Sequence, residues 1–294
     1  MPIAALTALE GLALFLFFVL GLIVGSFLNV CIWRLPRGIS VNFPRRSLCP
    51  RCGHSLAWAD NIPVVSFLRL RGRCRYCSDP VSWRYPCVEL ITGLLFALIY
   101  FRQRVQVGTD LGQVVVMLLL AALLVVASGI DLEFLIIPDE ISAFGVLGGL
   151  LAGFLLPQLH VGPLNYHTFE SLTGHVRLDG LIASGIGAVG GGSMVLAFAL
   201  LGQLVFRKEA MGLGDVKLMA MIGAFFGWRV VFMTFFLAPF VGLLYGLPML
   251  LMNDEHVMPY GPFLSIGAVV TLVFRDDICR YPAMLEEVVR LLAG

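Results

Sequence analysis

The sequence predicts an all-α polytopic membrane protein, with about eight transmembrane helices and one small zinc-binding domain on the cytoplasmic side. Three observations carry this prediction. Of 294 residues, 59% are hydrophobic and only 13% charged, roughly half the charged share of an ordinary soluble domain. Charge-free stretches are long: residues 11–33, 111–130, 180–206 and 230–253 contain no Asp, Glu, Lys or Arg, and about 20 apolar residues cross a bilayer as a helix. Finally, the net charge of +1 hides an asymmetry, because ten of the 20 Lys and Arg residues fall between Arg34 and Arg84, opposed only by Asp60 and Asp79. Basic segments beside spans favour the cytoplasmic face. That explains the block without a nucleic-acid ligand, and none is expected.

The first span, within residues 1–33, carries Gly21, Gly25 and Ser26, small residues that admit a close helix neighbour. Residues 1–10 hold no Lys or Arg, so the positive region of a cleavable signal is missing. Asn29, near the end of this span, reads as a helix-packing hydrogen bond ahead of a site residue. Residues 34–84 form the polar domain. A second span follows at 85–101, with Glu89 one turn in and expected to face the cytoplasmic domain, not lipid. The third span, 111–130, ends at Asp131. The fourth runs from 141 to about 156. A loop with His160, His167 and His175 comes next, and their spacing matches no metal-ligand pattern. The fifth span, 180–206, is glycine-rich through Gly190-Gly-Gly192, which predicts tight packing on a neighbour. It lacks the Gly-Lys-Ser/Thr of a nucleotide loop.

Between Lys217 and Arg229 only 11 residues are uncharged, a rise of roughly 17 Å and too short for the hydrocarbon core. The sixth span must therefore take in Asp215, let Arg229 snorkel, or both. The seventh covers 230–253 and the eighth opens at Met258 and runs to about Phe274, so that 85–275 is one seven-helix membrane domain. Residues 276–294 alternate as an interfacial amphipathic helix would. If 34–84 is cytoplasmic, counting spans brings the end of the third and the start of the sixth to the same face.

Cys49-Pro-Arg-Cys52 and Cys74-Arg-Tyr-Cys77 are separated by 21 residues. Two such knuckles place four thiolates around one zinc ion, and the cytoplasmic setting favours a metal over disulfides. A segment this small has little core, so the metal would supply much of its folding energy. His54 is an alternative ligand, but Cys49, Cys52, Cys74 and Cys77 already fill a tetrahedral shell. Cys31 and Cys87 read as packing residues at span ends, and Cys279 stands alone.

Two acidic motifs flank the spans: Asp131-Leu-Glu-Phe-Leu-Ile-Ile-Pro-Asp139 and Met211-Gly-Leu-Gly-Asp-Val-Lys217. Ionisable groups at a membrane boundary are costly and mark function, although helix capping is the plainer reading of each alone. Brought together, Asp131 and Asp215 would form an aspartic-protease pair. Like charges at proton-sharing distance keep one carboxyl protonated. The ionised partner activates water and the protonated one polarises the scissile carbonyl. Gly212 and Gly214 would let the backbone approach a substrate strand. Lys217 reads as a lipid-phosphate contact ahead of an electrostatic tuner, and Asp139 as the N-cap of the fourth span. A Ser-His or Cys-His nucleophile would need a histidine within a span, and none is there. Two other classes remain as alternatives: a zinc-containing scaffold without activity, and a transporter using the aspartates as a relay, for which no repeated halves are visible.

These motifs resemble the type IV prepilin peptidases, bifunctional leader peptidases and N-methyltransferases of pilus and type II secretion systems. The resemblance runs through Gly25-Ser-Phe-Leu-Asn-Val30, Arg34-Leu-Pro36, the four cysteines, Asp60-Asn-Ile-Pro63, Gly72-Arg-Cys74, Arg84-Tyr-Pro86 and Glu89-Leu-Ile-Thr-Gly93. It continues through Asp131 to Asp139, Gly212 to Lys217, and Pro259-Tyr-Gly-Pro-Phe263. It implies a multi-pass enzyme of the bacterial inner membrane that cleaves a basic leader from prepilins or pseudopilins at the cytoplasmic face, with catalytic aspartates at Asp131 and Asp215. It also implies methylation of the new N-terminal amine by S-adenosyl-L-methionine, for which no glycine-rich fingerprint is present; Glu89 and the basic block are the candidates. Proteolysis without methylation is the nearest alternative. The stretch 157–180 between the aspartate motifs departs from the family as an insertion in a periplasmic loop.

Overall fold

The computed structural model describes residues 7–44, 46–160, 173–207, 211–251, 258–274 and 277. Among these the ordered elements are helices, with only two isolated β-bridges. The chain divides into two compact units, one of residues 1–114 with 121–134 and the other of 115–120 with the remainder from Leu135.

The first unit is built on α1 (Ala8–Arg34) and α3 (Arg84–Ile99), which pack side by side. Thr7 starts α1 through a capping box with Glu10, which satisfies two of the helix's orphan N–H groups. The expected small-residue contact is present. A Cβ on Gly21 would fall 2.7 Å from the Gly93 Cα, and one on Gly25 would fall 2.8 Å from the Glu89 Cα. Only glycine allows the two backbones this close. Asn29 donates to the Tyr85 carbonyl at 3.0 Å, the packing bond its position suggested. Past Ile99 the helix continues as a wider π-helical segment, Tyr100–Val107, and Phe17 stacks on Tyr100.

Between α1 and α3 lies the polar segment, which holds two 3-10 turns and, among the described residues, one short α-helix, α2 (Val65–Arg69). Arg34 is buried and donates to the carbonyls of Ser40, Val41 and Pro44 at 3.1, 2.9 and 3.0 Å, folding the start of this segment back onto the end of α1. The C-terminal part of α4 (Leu111–Phe134) completes the unit. Gly129 sits against Ile32, Phe134 lies under Arg37, and Glu133 pairs with Arg84. Cys31 is buried as expected, but Cys87 is exposed. It falls on the outward side of α3, one residue after the buried Pro86 and before the buried Val88.

The second unit is organised around α7 (Leu213–Phe226), packed by α5 (Asp139–Leu155), α6 (Val176–Phe206), α8 (Trp228–Leu251) and α9 (Gly261–Val273). Nine of the 14 residues of α7 are buried. The glycine-rich α6 provides the tight packing its composition predicted: a Cβ on Gly187 would stand 2.1 Å from the Gly223 carbonyl oxygen, and one on Gly191 2.7 Å from that of Met219. On the other side, Gly149 of α5 meets Ala224. Ser184 donates to the Ala224 carbonyl at 2.5 Å.

Among the described residues, five helical stretches are long and apolar enough to cross a membrane: Ala8–Arg37, Arg84–Val107, Leu111–Phe134, Val176–Val205 and Trp228–Leu247. The other three of the eight expected spans correspond to α5, α7 and α9, which have 17, 14 and 13 residues. The helix at the expected sixth span begins ahead of its apolar stretch. α7 takes Asp215 into its first turn and stops at Phe226 before Gly227, whose φ is +82°. Arg229 belongs instead to the first turn of α8, over the Trp228 ring. The interfacial helix expected at 276–294, except for residue 277, with Cys279, and His167 of the loop lie outside the described residues.

Candidate functional site

The first unit gathers the four cysteines. Their Sγ atoms all lie within 4.8 Å of one another, with Cys49 and Cys77 3.9 Å apart. Four thiolates bound at about 2.3 Å to a tetrahedral zinc stand about 3.8 Å apart, so the donor set fits that ion. The two halves are built alike. Leu48 bridges Ser55 and Arg73 bridges Pro80, while the Cys49 and Cys74 N–H groups donate to the carbonyls of His54 and Asp79. Each knuckle turns on a left-handed residue just after its second cysteine, Gly53 at φ +67° and Ser78 at φ +60°. Burial opposes ionisation of Cys49, but the backbone N–H groups of Cys52 and Arg51 and the neighbouring thiols outweigh it and bring the thiol down to about 7. The His54 ring lies tilted against that of Tyr76 and is not part of the cluster.

Around the knuckles, buried Asp60 accepts from Arg69 at 3.3 Å and Arg75 at 2.5 Å. Arg75 lies between Cys74 and Tyr76, so Asp60 ties the second knuckle to α2. The sequence marked Asp60 only as part of a motif; its two arginine partners lie 9 and 15 positions away and no spacing rule connects them. Glu89 is buried and accepts from the Val64 N–H at 2.7 Å and from the Ser26 hydroxyl. Its carboxylate faces the polar segment, as its position one turn into the span suggested.

The two sequence-selected aspartates belong to different units. Asp131 is buried, three residues before the end of α4 in the first unit. Asp215 is buried in the first turn of α7 in the second unit, behind the N-cap Gly212. The positive end of the helix dipole favours a carboxylate there.

Within the second unit three motifs converge on the start of α7. A Cβ on Gly214 would meet the Ile137 Cβ at 3.2 Å. Lys217 Nζ is 2.5 Å from Asp139 Oδ1. The Asp215 carboxylate and the Tyr260 phenol interact electrostatically. Gly214 lies against Ile137, and Lys217 is ion-paired with Asp139. One expectation is corrected here. Asp139 is not a cap: Pro138 is the N-cap of α5, and Asp139 is its first helical residue. Pro138 is still extended, with ψ 139°, so the cap falls one position earlier than expected.

A buried carboxylate at the head of a short apolar helix, with a four-cysteine module on a separate unit and several helices long and apolar enough to cross a membrane, defines the class as a helical polytopic membrane protein. The profile described as Bacterial Peptidase A24 N-terminal domain matches residues 19–103, and that of the Type IV leader peptidase family matches 118–247, a range holding both Asp131 and Asp215. Curated relatives agree. A Myxococcus xanthus protein named prepilin leader peptidase/N-methyltransferase is 42% identical over 242 residues, 81% of this chain and 63% of that one. Proteins of the same name from Aeromonas salmonicida and Pseudomonas aeruginosa are 33% and 35% identical, covering 90% and 89% of this chain and 92% and 90% of theirs. The chain thus belongs to the prepilin leader peptidase/N-methyltransferase family. No solved structure matches it.

Proposed function

We propose that this chain is a membrane aspartic endopeptidase that removes the leader from prepilins or pseudopilins and N-methylates the new N-terminal residue. The observation that carries the reading is Asp215, a carboxylate buried in the first turn of a 14-residue apolar helix, inside the region shared with the leader peptidases. Asp131, in the same region, is the second catalytic carboxylate. The attacking water gives a proton to the ionised aspartate and adds to the scissile carbonyl, while the protonated aspartate donates its proton to the carbonyl oxygen; as the gem-diol collapses, the first aspartate passes the water proton to the leaving amine and the second recovers a proton from a gem-diol hydroxyl.

We read α5, α7 and α9 as further spans, which brings the count to eight, in an inner membrane with the polar segment 34–84 and the active site on the cytoplasmic side. A helix of 14 residues rises about 21 Å, less than the hydrocarbon core. This supports Asp215 at membrane depth, where a substrate whose apolar helix stays in the bilayer presents its leader junction. Cys49, Cys52, Cys74 and Cys77 hold zinc, which serves there as a structural staple. The methyl group comes from S-adenosyl-L-methionine, and no residue of this chain is assigned to it.

The test is cleavage of a purified prepilin by the full-length protein in lipid. Asp131→Asn and Asp215→Asn are each expected to lower kcat by about a thousandfold or more, as loss of one member of an interdependent pair does. Full processing by either variant removes the aspartic mechanism. Mass spectrometry of the product, showing an added methyl group only with S-adenosyl-L-methionine, tests the second activity.

A further inference from the structure

We infer that Lys217 and Asp139 form a positioning pair that fixes the rotation of α7 about its own axis and thereby aims the Asp215 carboxylate. This rests on the reading of Asp215 as catalytic.

Lys217 stands in an unfavourable place for a cation, near the N-terminus of α7, where the helix dipole repels positive charge. Its partner stands in a favourable one, since Asp139 opens α5 and accepts the lysine at 2.5 Å. The two residues are 78 positions apart, so the pair joins two helices. Residues of an α-helix advance about 100° each. Asp215 and Lys217, two apart, therefore project to opposite sides, and Asp215 is buried while Lys217 is exposed. Gly214 and Lys217, three apart, share a face, and that face is the one held by the segment Ile137–Asp139: Ile137 lies against Gly214, and Asp139 takes Lys217. The short segment leading into α5 thus grips α7 at two points on a single face. A steric contact alone lets the helix pivot about Gly214. The ion pair one turn further on stops the pivot, and the carboxylate on the other side keeps its direction.

The experiment is steady-state cleavage of a prepilin by full-length variants in lipid. Lys217→Ala and Asp139→Ala are each expected to lower kcat by about ten- to a hundredfold, the scale of an ångström's misplacement of a catalytic group. KM should stay within about twofold, because substrate binding is untouched. A lysine that gripped substrate or lipid would raise KM instead. Lys217→Arg should keep most of the activity, and the charge-reversed double variant Lys217→Asp with Asp139→Lys should recover kcat over either alanine variant. Should an alanine variant not fold, the reversed pair decides, since a folded double variant more active than either folded charge-reversed single supports the pairing. Alanine variants with unchanged kcat, or a reversed pair no better than its singles, overturn the inference. Asp215→Asn is measured alongside. If it is inactive while Lys217→Ala is fully active, only the positioning role fails; if it cleaves normally, the assignment of Asp215 fails.

Discussion

Glu89 illustrates how a charged residue inside an apolar helix is kept. Its carboxylate is buried yet satisfied, by the Val64 N–H at 2.7 Å and by the Ser26 hydroxyl. Val64 has a φ of +60°, a backbone region that a β-branched residue enters only under constraint from its surroundings. The bond from Glu89 is that constraint, so one side chain fixes both the helix pairing and the start of α2. Glu89→Ala leaves the Val64 N–H without its acceptor and is expected to destabilise the protein by about 1–3 kcal/mol, with Glu89→Gln, which keeps an acceptor, costing less. Thermal unfolding in detergent measures this, and trypsin should cut the arginines of the 34–84 segment faster in the alanine variant only. Equal midpoints for alanine and wild type would show that the bond contributes nothing. The inward direction of Glu89 was legible because a carboxylate one turn into a span has nowhere else to go. Its donors were not, since Val64 lies 25 residues back in a segment with no periodic pattern.

At the scale of elements, glycine decides which helices touch. Gly187 and Gly223 bring the backbones of α6 and α7 together so closely that a Cβ on Gly187 would sit 2.1 Å from a carbonyl oxygen, whereas Gly185, two residues earlier on the same helix, faces open space. The two positions should answer oppositely to the same change. Gly187→Ala must push two backbones apart and is expected to cost about 2 kcal/mol or more, as overpacking does. Gly185→Ala meets no atom and should be neutral or stabilising by up to about 1 kcal/mol, because alanine is the better helix former. Unfolding midpoints of the two variants, measured side by side, check the contrast. The composition of α6 announced a tight neighbour but not which glycines face it, because glycines crowd every side of this helix. The ends of helices were harder still. Hydropathy located eight apolar stretches, yet α7 begins at Leu213, ahead of two charged residues, because its head is held by Ile137 and Asp139 and not by its own apolarity. The Lys217–Asp139 pair was invisible for the same reason: it spans 78 residues and depends on α5 and α7 being neighbours.

For the whole molecule, the contrast lies between helices that bury one another and a polar segment that buries almost nothing. Between Leu35 and Trp83 the buried residues, among those described, are Cys49, Asp60 and Cys74. Phe43, Trp58, Leu68 and Trp83 are each more than 60% exposed. Apolar burial therefore cannot hold this segment, and hydrogen bonds across two small knuckles cannot replace it. What remains is the cysteine cluster, whose spacing fits zinc, with the Arg69–Asp60–Arg75 bridge tying it to α2. The sequence revealed the four cysteines outright, since paired cysteines three apart are readable at any distance, but it did not reveal that two of them are most of what this segment buries. On the proposed zinc reading, metal and fold are one equilibrium here. The purified protein should carry one zinc per chain, and Cys49→Ser with Cys77→Ser should abolish it. Chelation should open the arginine-rich segment to trypsin while far-UV circular dichroism, dominated by the membrane helices, changes little. Added zinc should restore resistance, with protection rising with free zinc as binding to the folded state alone requires. A segment that stays resistant after complete metal removal would mean that α1, α3 and the Glu89–Val64 bond hold it unaided.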